Sequence, residues 1–147
     1  MEKNLYFAYG SNLNLDQMAV RCPDSKAIGP GTLYGYKLMF RQHLDVEKDY
    51  RSKTEGTLFV ISDSDLKNLD RYEGVPHYYT RELVYVVSYG RRYKAYVYIM
   101  RNQHHTSPPS VGYWGSVSEG YKHCHMSRRG LYRALRRSGC QFPQYFK

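Results

Sequence analysis

Asn4-Leu-Tyr-Phe-Ala-Tyr-Gly-Ser-Asn-Leu13 is extended in character up to Tyr9, turns at Gly10, and runs directly into a helical pattern. Tyr6, Phe7, Ala8 and Tyr9 suit a buried strand, Gly10 allows a backbone geometry closed to other residues, and Ser11 or Asn12 is placed to cap the helix that follows. A strand–turn–helix unit of this kind aims backbone N–H groups into a cavity. The positive end of the helix dipole then makes it a candidate seat for a carboxylate or an oxyanion.

Working outward, Leu15, Met18, Ala19 and Cys22 form the stripe of an amphipathic helix that Pro23 ends and that is expected to pack on the first strand. Gly31 to Arg41 reads as a strand with a bulge or bend at Gly35. Residues 42–54 are polar and read as a loop. Glu55 to Ile61 reads as a short strand whose Gly-Thr-Leu-Phe-Val-Ile run is apolar enough to be buried on both faces. Ser62-Asp-Ser-Asp65 opens a short helix carrying Leu66, Leu69 and Glu73, which Gly74 and Pro76 stop. Tyr79 to Tyr89 and Arg92 to Met100 make an antiparallel hairpin turning at Gly90-Arg91, with Tyr93, Ala95, Val97 and Ile99 on its buried face. After Ser107-Pro-Pro-Ser110, a helix whose stripe is Tyr113 or Trp114, then Val117, Tyr121 and Cys124, runs despite Gly115 and Gly120, and a last helix covers about Gly130 to Ser138. The pattern is that of one α+β domain over residues 1–147 with mixed strand directions. Periodicity leaves open whether its sheet closes into a barrel.

Composition narrows the function classes. A chain of 147 residues with 41% hydrophobic residues and 17 tyrosines can bury a core without disulfide or metal support, and it is not a low-complexity segment. No apolar run reaches membrane-spanning length, and Met1-Glu-Lys-Asn4 lacks the layout of a signal peptide, so the expected location is the cytoplasm. Cys22, Cys124 and Cys140 are odd in number and far apart, which reads as reduced thiols. His123, Cys124 and His125 are neighbours on one helix and diverge, which argues against a metal site. The net charge of +9 attracts anions. Much of it gathers at Lys122, Arg128, Arg129, Arg133, Arg136 and Arg137, where a solvated helix face and a site for an acidic protein partner are the two readings. No RNA-binding aromatic signature accompanies these residues, so nucleic acid is not expected as a partner.

Glu73 is the residue that points to chemistry. Its spacing from Leu66 and Leu69 places the carboxylate on or near the apolar stripe of its helix, where desolvation raises its pKa, and the negative end of the dipole pushes the same way. Such a group is poised to move protons near neutral pH, unless it simply points to solvent at a fraying end. Asp70, one turn earlier, is either a second carboxylate that lifts Glu73 further or a surface charge. Arg41 and Arg81 are candidate carboxylate clamps with an exposed position as the plainer expectation. Ser11 has no surrounding pattern of a hydrolase nucleophile.

Tyr6-Phe-Ala-Tyr-Gly-Ser-Asn-Leu13 taken with Leu69-Asp-Arg-Tyr-Glu-Gly-Val75, Tyr78-Tyr79 and Pro108-Pro-Ser110 resembles the γ-glutamylcyclotransferase family, including its AIG2-like members, over nearly the whole chain. The resemblance implies a small mixed β-barrel flanked by helices and an enzyme with no cofactor. It implies release of 5-oxoproline and a free amine from a small-molecule γ-glutamyl amide, or from a γ-glutamyl group on an acyl carrier protein or other large acceptor. By motif position Glu73 matches the catalytic acid/base, and Tyr9, Gly10, Ser11, Asn12 and Leu13 match the loop that holds the γ-glutamyl group. Tyr78 or Tyr79 matches the tyrosine that lines the pocket and donates a hydrogen bond, with core packing as the alternative. Whether the turn binds the α-carboxylate or the oxyanion stays open. A non-catalytic module binding a small carboxylated ligand is the competing class.

Overall fold

In the computed structural model, which describes residues 4–103 and 105–140, the opening stretch forms strand β1 (Asn4–Ala8) and a short 3-10 turn (Ser11–Leu13). Met1 to Lys3 lie outside the described residues. Strands β2 (Lys26–Arg41), β3 (His43–Ile61), β4 (Tyr79–Ser88) and β5 (Arg91–Met100) join β1 in a closed barrel of order β1-β3-β2-β4-β5. All pairings are antiparallel except β1 with β5, which meet in parallel at Tyr6 and Tyr96, so the barrel is mixed. Closure leaves no free sheet edge and brings the first strand against the last.

The β2–β3 hairpin corrects the sequence reading. Residues 42–54, expected as a loop, are strand, and β2 begins at Lys26, well before Gly31. The chain reverses at Gln42, whose φ is +62°, and pairing runs from Arg41–His43 back through Tyr36–Lys48. The polar composition hid this because charge pairs contribute across the ribbon: Lys37 lies 3.9 Å from Glu47 and 3.8 Å from Asp49. Arg41, expected to be exposed, is also a correction. Its guanidinium is buried in ion pairs with Asp45, at 2.8 Å, and with Glu47. The register shift between Tyr34 and Tyr36 falls at Gly35, where a bulge or bend was expected. In the β4–β5 hairpin, Tyr89 and Gly90 both take positive φ, which suits a tight two-residue turn.

Four helices cover the barrel: α1 (Leu15–Arg21), α2 (Asp63–Tyr72), α3 (Val111–His123) and α4 (Arg129–Arg137). The expected stripe of α1 is only half realised, since Met18 and Cys22 are buried while Leu15 and Ala19 face outward. This helix packs chiefly on the 3-10 turn and α2, a narrower contact than a sheet face. Its cap also differs from expectation. Asn14, in place of Ser11 or Asn12, accepts a hydrogen bond from the Gln17 N–H at 3.2 Å, because the 3-10 turn delays the helix start. Helix α3 clamps that turn from behind: Asn14 Nδ2 donates to the Ser116 carbonyl (3.1 Å) and the Leu15 N–H to His123 Nδ1 (3.1 Å). Gly120 makes the approach possible, since a Cβ there would stand 2.4 Å from Asn14 N.

Phe7, Leu58, Val86, Ala95 and Val97 are fully buried in one contiguous core that continues under α3 and α4 through Val117, Leu131 and Leu135. Each large apolar side chain there contributes about 1.5–3 kcal/mol. No helix among the described residues is long and apolar enough to cross a membrane.

Candidate active site

Helix α2 begins with a complete capping box. The Asp65 N–H donates to Ser62 Oγ (3.1 Å) and the Ser62 N–H donates to Asp65 Oδ2 (3.2 Å). The helix ends at Glu73, whose N–H closes the last turn on the Leu69 carbonyl (2.8 Å), before Gly74 leaves the helix at φ +67°. Burial of Leu69 thus fixes where the Glu73 side chain goes, and it goes into a cavity of about 260 Å³.

The turn after β1 shares that cavity, with Tyr9, Gly10, Ser11 and Asn12 lining it. Tyr78 and Tyr79 line it from the start of β4, and His43 and Leu44 from the start of β3. Leu13 is fully buried in the core and does not line the cavity, so it supports the turn from beneath. Gly10 adopts φ −126°, an ordinary negative value, so its geometry is not the left-handed one that only glycine enters readily. As the leading groups of a 3-10 turn, the N–H groups of Ser11 and Asn12 have no acceptor within it.

Burial pushes the Glu73 carboxyl up to about 7, against a smaller opposing pull from Arg21. Among the described residues no side chain or backbone donor hydrogen-bonds to it. Asp70 belongs to a different set of contacts: its carboxylate pairs with Arg81 and accepts from the Tyr98 hydroxyl at 2.7 Å. Burial outweighs every named charge acting on Glu73, and Asp70 is not among them. Arg81 is exposed despite that pairing, the plainer of its two expectations.

Several residues at or behind the cavity wall were not anticipated. Arg21, at the end of α1, stands behind the lining: it donates to Asn12 Oδ1 (2.5 Å) and, at greater length, to Ser11 Oγ (3.4 Å), while its guanidinium stacks 3.6 Å from the Tyr72 ring centroid. Ser11 therefore faces a cation that cannot serve as a base. His43 Nδ1 sits 2.9 Å from the Tyr78 hydroxyl, and burial lowers the imidazole pKa. Tyr6, Tyr98 and Tyr113 complete the wall. Tyr6 had a local signal in the opening motif, and Tyr113 in the tyrosine-bearing segment after Pro108-Pro-Ser110. The others arrive through barrel closure and helix docking, which spacing does not encode. His123 and Cys124 are engaged in structure, the Cys124 thiol donating to the Leu13 carbonyl at 3.3 Å.

A closed mixed barrel whose cavity is lined by a half-buried carboxylate and a glycine-containing turn defines a class of small-ligand site. The chain matches the family described as "Gamma-glutamyl cyclotransferase, AIG2-like" over residues 6–116, and it belongs to that family. It is 28% identical over 135 aligned positions to the gamma-glutamylcyclotransferase of Homo sapiens, covering 82% of this chain and 71% of that one, and equally to that of Mus musculus. A solved structure titled "Gamma-glutamyl cyclotransferase" superposes with a TM-score of 0.81 at 24% identity, covering 99% of this chain and 92% of that one. The shared fold includes the barrel and the flanking helices.

Proposed function

We propose that the protein is a γ-glutamylcyclotransferase-like enzyme that releases 5-oxoproline and a free amine from a small γ-glutamyl amide. The observation that carries this reading is that Glu73, with no hydrogen-bond donor among the described residues, lines one cavity with the turn at Gly10 to Asn12, where burial pushes its carboxyl up to about 7. In the reaction the α-nitrogen of the substrate attacks its own γ-carbonyl carbon. A five-membered lactam C–N bond forms and the bond to the departing amine breaks. The ionised Glu73 takes the protons that the α-nitrogen gives up and passes them to the departing nitrogen, which restores the carboxylate. Because both reacting groups belong to one molecule, holding it folded supplies much of the rate advantage. The turn N–H groups are suited to bind the substrate's α-carboxylate or the developing oxyanion.

The exposed arginines of α4, Arg129, Arg133, Arg136 and Arg137, are the feature that would suit an acidic carrier protein. None of them lines the cavity, which favours a small substrate. The test is incubation with a panel of γ-glutamyl dipeptides and γ-glutamyl amines, following 5-oxoproline by mass spectrometry. Release by the wild type and its loss in Glu73→Gln is the expected result; no release from any member of the panel would overturn the reading.

A further inference from the structure

The basic residues around α4 divide into two groups. Arg128 donates to Ser118 Oγ (2.8 Å) and Arg137 to the Leu38 carbonyl (3.3 Å), so their guanidiniums are spent on the protein. Arg129 and Arg133, one turn apart on α4, have no side-chain partner among the described residues. Both line a second cavity, of about 320 Å³, between the start of α4 and the β2–β3 ribbon. Lys53 lines it from β3, opposite Tyr34 of β2, and is likewise unpaired among the described residues. Glu55 is the one carboxylate of this wall, and it makes no ion pair with any of the three cations. Like charges four apart on a helix repel, and a third gathered beside them adds to the cost unless an anion is bound.

The remaining polar side chains of the wall are mostly committed. Thr54 donates to the Tyr36 carbonyl (3.0 Å) and Tyr121 to the Tyr9 carbonyl (3.2 Å). Ser127 Oγ accepts from the Arg129 N–H at 3.2 Å, which leaves its own proton to donate. Leu38 and Tyr121 are buried and supply the apolar part of the lining. Three cations against one carboxylate leave a net charge of +2 on the wall. A phosphate monoester carries about −1.5 to −2 at neutral pH and matches that charge, where a carboxylate leaves half of it unopposed. Guanidinium groups also suit phosphate oxygens, which accept paired N–H donors. The apolar lining favours an organic substituent over bare phosphate.

We infer that this cavity binds a small organic phosphate, with Lys53, Arg129 and Arg133 holding the phosphate group and Leu38 and Tyr121 packing its organic part. It shares no lining residue with the Glu73 cavity, and the assignment does not rest on the γ-glutamyl reading.

Calorimetry on the full chain tests it with phenyl phosphate as the probe, benzoate as its monoanionic counterpart and inorganic phosphate as the headgroup alone. Phenyl phosphate is expected to bind at a single site, with benzoate and inorganic phosphate each at least about 10-fold weaker. Lys53→Gln, Arg129→Gln and Arg133→Gln should each weaken phenyl phosphate by about 5- to 20-fold. Arg91→Gln removes the same unit of charge at the start of β5, outside the cavity, and should leave the affinity within about twofold of wild type. All four residues are exposed, so melting temperatures should stay at the wild-type value. Benzoate or inorganic phosphate binding as tightly as phenyl phosphate would overturn the inference. So would a loss in Arg91→Gln equal to that in the cavity variants, or a wild type that does not bind phenyl phosphate.

Discussion

Two carboxylates stand at opposite ends of α2, and the fold treats them in opposite ways. Asp65 is fully buried near the N-terminus, where the dipole favours it, and accepts from the Ser62 N–H at 3.2 Å and the Asp24 N–H at 3.3 Å. Glu73 is at the C-terminus, where the dipole opposes it, with no hydrogen-bond donor among the described residues and a pKa raised by burial to about 7. One carboxylate stabilises the helix and the other is held against its electrostatic preference. The departure from local stability rules marks the place where the chemistry is located.

The comparison breaks most visibly at Glu73. Glu73→Gln should lower kcat/KM for 5-oxoproline release by about 10³-fold, the size expected for loss of a general acid/base, without a fall in melting temperature. A variant that loses stability in step with activity would make Glu73 structural.

Next in size is the pH dependence of stability. The folded pKa of about 7 lies above the reference value of 4.5, so between those pH values the native state binds more protons than the unfolded chain. Stability from this group is present below 4.5 and is lost as pH rises through 7, by roughly 3 kcal/mol. Denaturation across pH should therefore show Glu73→Gln gaining on the wild type over that interval, with a flat difference on either side. A flat difference throughout would place the Glu73 carboxylate in solvent.

Asp65→Ala sharpens the other half of the comparison. Loss of the capping box and of buried hydrogen bonds should cost about 2 kcal/mol, lowering the melting temperature by roughly 4–8 °C, while kcat/KM of the folded protein is unchanged. The smallest expected effect belongs to Arg21, whose charge draws the Glu73 pKa down. Arg21→Met should move the acid limb of the kcat/KM profile to higher pH by roughly half a pH unit.

Much of this was legible in the sequence where local chemistry dictates structure. Ser62 to Asp65 gave the start of α2, Gly74 its end, and the apolar run after Gly56 a central strand. The spacing of Glu73 from Leu69 placed it on or near the apolar stripe and left a solvent-facing position open; the helix packing makes it half-buried at the cavity. The strand character of residues 42–54 did not, because Lys37, Glu47 and Asp49 contribute cross-strand charge pairs in place of an alternating apolar pattern. Arg41 was misread for the same reason, since its partners Asp45 and Glu47 sit in that ribbon. His43 and Tyr113 reach the cavity from β3 and α3, Arg21 reaches the turn from α1 through Asn12, and only closure of the barrel and docking of the helices brings them together. Gly120 looked like a flaw in a helix and is the point where α3 touches the turn.

The central claim is that Glu73 is a carboxylate tuned by burial to exchange protons near neutral pH, and its own titration tests it most directly. Carbon-13 detection of the Glu73 side-chain carboxyl, assigned by difference against Glu73→Gln, should give a midpoint close to 7. A midpoint near the ordinary value of 4.5 would contradict the account.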